Sequence, residues 1–183
     1  MNPTRRLVVK AALGLPLVAL LPGTLWSALA LADSADEKRD AQQHGELLAL
    51  AIHSDGGPHR LEVEVARTVA QRQRGLMERE HLPEQRGMLF RFEQQQPASN
   101  AFWMYRTLIP LDIAFIDQDG RIVAINTMPP CESSAPGECP TYPAGAAYHA
   151  ALEVNGGYFA ARNIQVGDCV SVPGEAGFCQ PDE

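Results

Sequence analysis

Between Arg60 and Ala66 the chain alternates strictly, with Leu61, Val63 and Val65 on one side and Glu62 and Glu64 on the other. A period of two marks a strand with one buried face, and no helix can satisfy it. Glu46–His53, Gly87–Phe92, Ala101–Met104, Leu111–Asp117, Arg121–Thr127, Ala150–Val154 and Cys169–Val172 also read as short strands. Turn signals divide them: Asp55-Gly56-Gly57-Pro58, Asn155-Gly156-Gly157 and Gly167-Asp168. Asp117-Gln118-Asp119-Gly120 reads as a hairpin turn with Gly120 in the left-handed position. Thr68 with Gln71 forms a capping box, which predicts a short helix from Val69 to about Met77, and Pro83 ends any continuation. The expected fold is α+β: a mostly antiparallel, barrel-like sheet of six to eight short strands with one or two short helices.

The helix pattern is unusual. Val69, Leu76 and Met77 should share an inward face, yet Arg72, Gln73 and Arg74 occupy the turn between them. Such a stripe either faces a cavity or snorkels.

The N-terminus reads as a targeting segment. Arg5, Arg6 and Lys10 precede an apolar run ending in Ala30-Leu31-Ala32, the pattern of a cleavable signal over residues 1–32. Thr4-Arg5-Arg6-Leu7-Val8-Val9-Lys10 also resembles a twin-arginine signal. Gly14, Pro16, Pro22 and Gly23 interrupt the run, which argues against a retained anchor. Residues 33–45 then read as a flexible leader and 46–183 as a single compact domain. Cleavage removes three positive charges and takes the formal charge from −7 to −10. That acidity argues against a nucleic-acid partner. The expected location is periplasmic or secreted, with no membrane span after cleavage.

Cys131, Cys139, Cys169 and Cys179 all lie beyond the signal. An even count in an exported chain reads as disulfides. Of the three possible pairings the local one, Cys131–Cys139 with Cys169–Cys179, is expected. The first would close a Ser/Pro/Gly-rich loop that cannot order itself by burial, and the second would pin back the C-terminal tail. No Cys-x-x-Cys and no zinc spacing occurs, so no metal and no cofactor is expected.

No standard catalytic signature is present, and His44, His53, His59, His81 and His149 are scattered. Asp117 and Asp119 fit turn formation. Asp112, at the start of an apolar strand, and Glu153, inside another, are carboxylates in apolar company. Each reads as a cap or as a group paired with a cation. The natural partners are the arginines at 67, 72, 74, 79, 86 and 91, a basic stretch in an acidic chain. Met77, Met88 and Met104 beside Trp103 form a second constellation, core or soft Cu(I) ligands.

These motifs run in one order: Ala66-Arg67-Thr68, Gln71-Arg72-Gln73-Arg74-Gly75-Leu76-Met77-Glu78-Arg79, Gly87-Met88-Leu89-Phe90, Phe102-Trp103-Met104 and Thr107-Leu108-Ile109-Pro110-Leu111-Asp112-Ile113. Phe115-Ile116-Asp117, Pro130-Cys131, Cys139-Pro140-Thr141-Tyr142, Leu152-Glu153-Val154-Asn155 and Gly167-Asp168 follow. Together they resemble the bacterial and archaeal family called domain of unknown function 192, from about residue 60 to 172. The resemblance implies a compact, barrel-like α+β domain, often exported, and no established activity. The family pattern usually has Asn-Thr where this chain has Arg106-Thr107. If that amide contacts a ligand in relatives, recognition here differs.

The expected function is a small exported binding or accessory domain without catalysis, taking a small anionic ligand or a protein partner. Its pocket residues would be Arg74, Trp103, Met104, Asp112 and Glu153. One alternative is a hydrolase-like enzyme in which Asp112 and Glu153 converge as acid and base. The other is a Cu(I)-binding protein.

Overall fold

The computed structural model describes residues 45–180. The expected signal, and the leader up to residue 44, lie outside the described residues.

Among the described residues, nine strands, two short helices and one 3-10 turn follow one another. β1 (Glu46–Ser54) and β2 (Gly57–Ala66) form a hairpin about Asp55-Gly56. α1 (Val69–Arg74) precedes β3 (Arg86–Gln96) and β4 (Ala101–Trp103). β5 (Leu111–Ile116), β6 (Ile122–Met128), a 3-10 turn (Pro136–Glu138) and β7 (Thr141–Pro143) come next. β8 (Tyr148–Asn155), α2 (Tyr158–Ala161) and β9 (Cys169–Ser171) complete the domain.

Seven strands make one curled sheet in the order β6-β5-β8-β3-β2-β1-β9, and β4 pairs with β7 as a separate ribbon. The sheet is mixed. β2 and β3 run parallel, and every other pair is antiparallel. A parallel pair needs a crossover instead of a hairpin. Residues 67–85, which carry α1, supply it. The outermost strands meet at one end, where Arg121 bridges Cys169 and the Ile122 amide donates to the Asp168 carbonyl at 2.9 Å. That contact gives the sheet its barrel-like curl. Gly120 sits in the turn at φ +79°, and a Cβ there would strike the Phe178–Cys179 backbone.

The pleat sorts side chains into two cores. Leu61, Val63, Leu89, Ala114, Leu152 and Val154 point to one, which α2 and Phe178 cover. Ala66, Met88, Phe90, Ile113, Phe115 and Ala151 point to the other, beneath Leu76, Leu82 and Met104. Glu64 shares the second face and is buried, contrary to its reading as a solvent-facing residue. The Arg79 guanidinium grips it with two hydrogen bonds of 2.6 Å. The disulfides are Cys131–Cys139 and Cys169–Cys179, as expected from the sequence.

α1 is shorter than its pattern suggested. Thr68 caps it through a complete capping box, and Gly75, at φ +49°, ends it after Arg74. None of its residues is buried, and Val69 is 62% exposed. The predicted apolar stripe does not exist, because Leu76 and Met77 lie beyond the helix. Two elements had no forewarning in the pattern, the three-residue β7 and the one-turn α2.

Candidate functional site

The second face of the sheet carries a cleft between α1 and β4. Its inner end is a chamber of about 30 Å³ lined by Arg72, Gln73, Arg74, Gly75, Leu76, Met77, Phe90, Phe102, Trp103, Thr107 and Glu153. The polar middle of the helix pattern therefore does face a cavity. The chamber lies beside a groove of about 320 Å³ that shares Arg72, Gln73, Phe90, Phe102 and Trp103 and adds Val69, Phe92, Asn100, Ala101 and Tyr148.

Aromatic rings support this floor. Phe90 meets Phe102 edge-on at 5.1 Å, Phe102 meets Phe115 at 5.6 Å, Phe115 meets Tyr148 at 4.9 Å, and Tyr148 meets Phe92 at 5.5 Å. Each such pair adds about 0.5–1.5 kcal/mol beyond the area it buries, so the groove rests on stiff ground. Arg72 lies over the Phe92 ring at 5.0 Å and donates to the carbonyls of Arg67 and Arg91. It is a fixed part of the wall. Arg74 is freer: it is half exposed and makes only a 3.5 Å ion pair with Glu78.

The described residues include four buried polar side chains, Glu64, Thr107, Asp112 and Glu153. Two of them are satisfied. Arg79 holds Glu64. Asp112 accepts from the Thr127 hydroxyl at 2.8 Å and from the Phe159 amide, at the start of α2, at 3.3 Å. The other two, Thr107 at 6% exposure and Glu153 at 5%, both line the chamber. Among the described residues neither side chain has a hydrogen-bond or ion-pair partner. Burial alone pushes the Glu153 carboxyl up to about 8, so it holds its proton at neutral pH.

The expected pairing of Asp112 or Glu153 with a nearby arginine is therefore corrected. Five of the six arginines of the 67–91 stretch pair with glutamates elsewhere: Arg67 and Arg91 with Glu175, Arg79 with Glu64, Arg86 with Glu62, and Arg74 with Glu78. Asp112 is also corrected as a pocket residue. It lies opposite Val154, one register position from the Ile113–Glu153 pair, so the pleat sends Asp112 and Glu153 to opposite faces. The two-carboxylate arrangement that an acid–base enzyme needed is not formed by this pair.

Of the five predicted pocket residues, the structure brings Arg74, Trp103 and Glu153 together in the chamber. Met104 is fully buried beneath it in the core, with Met88 beside Glu153 on the neighbouring strand. Thr107, Gln73 and the aromatic floor went unpredicted. The Thr107 hydroxyl left no trace in the sequence pattern, because its burial depends on the ion-paired loop that carries it. No histidine lines the chamber or the groove. His53 meets the Ser171 hydroxyl at 2.7 Å and His59 the Ser54 hydroxyl at 2.9 Å, both well separated in sequence from the cleft residues. Among the described residues no three His, Cys, Asp or Glu side chains cluster as a metal site.

Comparison with known proteins agrees with the sequence motifs. A crystal structure from Sinorhizobium meliloti 1021, described as a "putative transcription regulator", superposes with a TM-score of 0.61 at 30% identity, covering 71% of this chain and 96% of that one. A protein of unknown function from Novosphingobium aromaticivorans DSM 12444 superposes at 0.59 with 34% identity, covering 68% of this chain and 84% of the other. No curated protein matches the chain. The family model for domain of unknown function 192, described as an uncharacterized ACR, matches residues 50–172. The chain belongs to that family.

Proposed function

We propose that this protein is a small exported binding domain without catalysis, and that the cleft between α1 and β4 takes a small anionic ligand. One observation carries the reading. Two buried polar side chains, Thr107 and Glu153, stand without partners in a chamber whose mouth bears Arg72 and Arg74. Their oxygens are not sealed from solvent, since the fully buried side-chain atom without a partner among the described residues is His149 Nδ1, so the chamber leaves them open to form hydrogen bonds. A ligand in the cleft supplies those bonds. The half-exposed Arg74 offers an anion a charge-assisted contact, and a protonated Glu153 does not repel it.

Export is supported by two disulfides in a small domain. Among the described residues no helix is long and apolar enough to cross a membrane. The regulator role described for the Sinorhizobium protein fits this acidic chain poorly. A formal charge of −7 disfavours the phosphate neutralisation on which DNA binding depends. The Cu(I) reading gains no support, since Met88 and Met104 are packed among apolar side chains.

The test is a thermal-shift panel of carboxylates, phosphates and sulfonates on the protein and on Arg74→Ala. At least one class should raise the midpoint in a dose-dependent way, and Arg74→Ala should lose that response while keeping its unliganded midpoint. A flat panel would sink the proposal.

A further inference from the structure

The cleft also specifies which ligand groups go where, given the binding role just proposed. The chamber of about 30 Å³ has room for only one or two water-sized groups. Whatever enters must satisfy Thr107 and Glu153 together. A carboxylate or phosphate head is bulkier than that room, although the protonated Glu153 would not repel it. An ammonium can donate to both groups, but it would sit under the guanidiniums of Arg72 and Arg74. An alcohol hydroxyl meets every condition. It donates to Glu153, accepts from the Thr107 hydroxyl, is neutral, and has the right size.

The anionic part of the ligand then stays outside, where Arg74 is half exposed. Beside the chamber, which Arg74 itself lines, lies the groove of about 320 Å³, the small end of ligand-site volumes, walled by Phe92, Phe102, Trp103 and Tyr148. Trp103 is 43% exposed and packs against Tyr105 at 5.3 Å, which leaves part of the indole for a ligand. A flat apolar face with hydroxyls at its edge matches that wall, because aromatic residues combine apolar area with little loss of side-chain freedom.

The geometry points to an acidic sugar as the ligand, with a ring hydroxyl between Thr107 and Glu153, its C–H face along Trp103, and its carboxylate at Arg74. A free uronic acid and a uronate unit of a longer glycan share this chemistry.

The test uses binding to the whole protein, followed by calorimetry and by indole fluorescence. The chain has two tryptophans, Trp103 and Trp26, so Trp103→Phe isolates the signal. The probes are glucuronate, glucose, glucosamine, cyclohexanecarboxylate and a polyuronate tetrasaccharide. Glucuronate should bind about tenfold more tightly than glucose, which lacks the charge, and than cyclohexanecarboxylate, which lacks the hydroxyls. Thr107→Val should weaken glucuronate by about fivefold or more without lowering the unliganded midpoint, since the lost hydroxyl has no partner in the ligand-free protein.

Tighter binding of the tetrasaccharide would assign the polymer, and equal binding the free acid. Equal affinity for glucuronate and cyclohexanecarboxylate would overturn the hydroxyl assignment and leave the anion-binding role standing. Preference for glucosamine would overturn the assignment of an anion at Arg74, and with it the acidic sugar. Failure of every probe, together with a flat anion panel, would remove the site itself.

Discussion

The Arg106 guanidinium pairs with the Glu78 carboxylate, and the Glu78 amide donates back to the Arg106 carbonyl at 2.8 Å. Both residues hold positive φ, +63° at Glu78 and +56° at Arg106. That conformation costs most L-residues about 1–2 kcal/mol, and asparagine tolerates it better than most. The asparagine that the family resemblance implies at this position would thus have a backbone explanation before any ligand is invoked. In this chain an arginine bears the same conformation with help from an ion pair. The pair matters for the cleft, because Met77 and Thr107, the neighbours of Glu78 and Arg106, line the chamber.

Replacing Arg106 should rank substitutions by backbone tolerance. Arg106→Asn loses an exposed ion pair worth about 0.2–1 kcal/mol and regains a similar amount from the backbone. Its stability in urea should stay within about 0.5 kcal/mol of the parent. Arg106→Val, β-branched at positive φ, should lose about 2 kcal/mol or more. If valine and asparagine behave alike, the ion pair rather than the dihedral governs this position.

Glu153 should make stability fall as pH rises. The folded carboxyl binds its proton up to about 8, whereas the ordinary value is 4.5. The folded state therefore holds more protons than the unfolded one between those values. The contribution is complete below the ordinary value and is lost as pH climbs through about 8. Glu153→Gln, which keeps the shape and cannot ionise, should flatten the decline in melting temperature between about pH 5 and pH 9. An unchanged slope in the variant would place the titrating group elsewhere.

Asp112 should act as a structural cap. Asp112→Ala removes acceptors from the Thr127 hydroxyl and the Phe159 amide, and should cost about 2 kcal/mol in chemical denaturation. Paired with Thr127→Ala, the two losses should fall short of additive by about 0.5–1 kcal/mol, as expected for one shared hydrogen bond. Anion binding in the cleft should persist in Asp112→Ala, since the residue sits on the other face of the sheet. Loss of binding in a folded variant would argue against that separation.

Arg79 should matter through the charge it leaves behind. With Arg79→Met, Glu64 remains buried without its two hydrogen bonds, a loss of about 2–3 kcal/mol after allowance for its partial solvent contact. Adding Glu64→Gln should return at least half of it. If the double variant is no better than the single, the lost interaction is packing along the arginine stem.

The strand runs were readable in the sequence because a sheet leaves a local record. Leu61, Val63 and Val65 announce β2 by alternation alone, and Gly120 announces its hairpin because few other residues accept φ +79°. The capping box at Thr68 and Gln71 is equally local, as is the closure of the Cys131 loop. The parallel pairing of β2 with β3 left no such record, because strand direction depends on where the crossover lands. Nor could the pattern say that Glu64 is buried, since its partner Arg79 reaches it from outside the strand.

The cleft divides along the same line. Sequence alone placed Arg74, Trp103 and Glu153 among the candidates, because a carboxylate within Leu152-Glu153-Val154 is locally out of character. It also grouped Asp112 with Glu153, for the same local reason. Only the tertiary structure separates them: adjacent strands put Ile113 opposite Glu153, and a one-residue offset in a pleated sheet reverses the face. The chain's local chemistry determined which residues would be costly to bury. The register of β5 against β8, and the ion-paired loop at Glu78 and Arg106, decided which of them the fold pairs and which it leaves unpaired in the cleft.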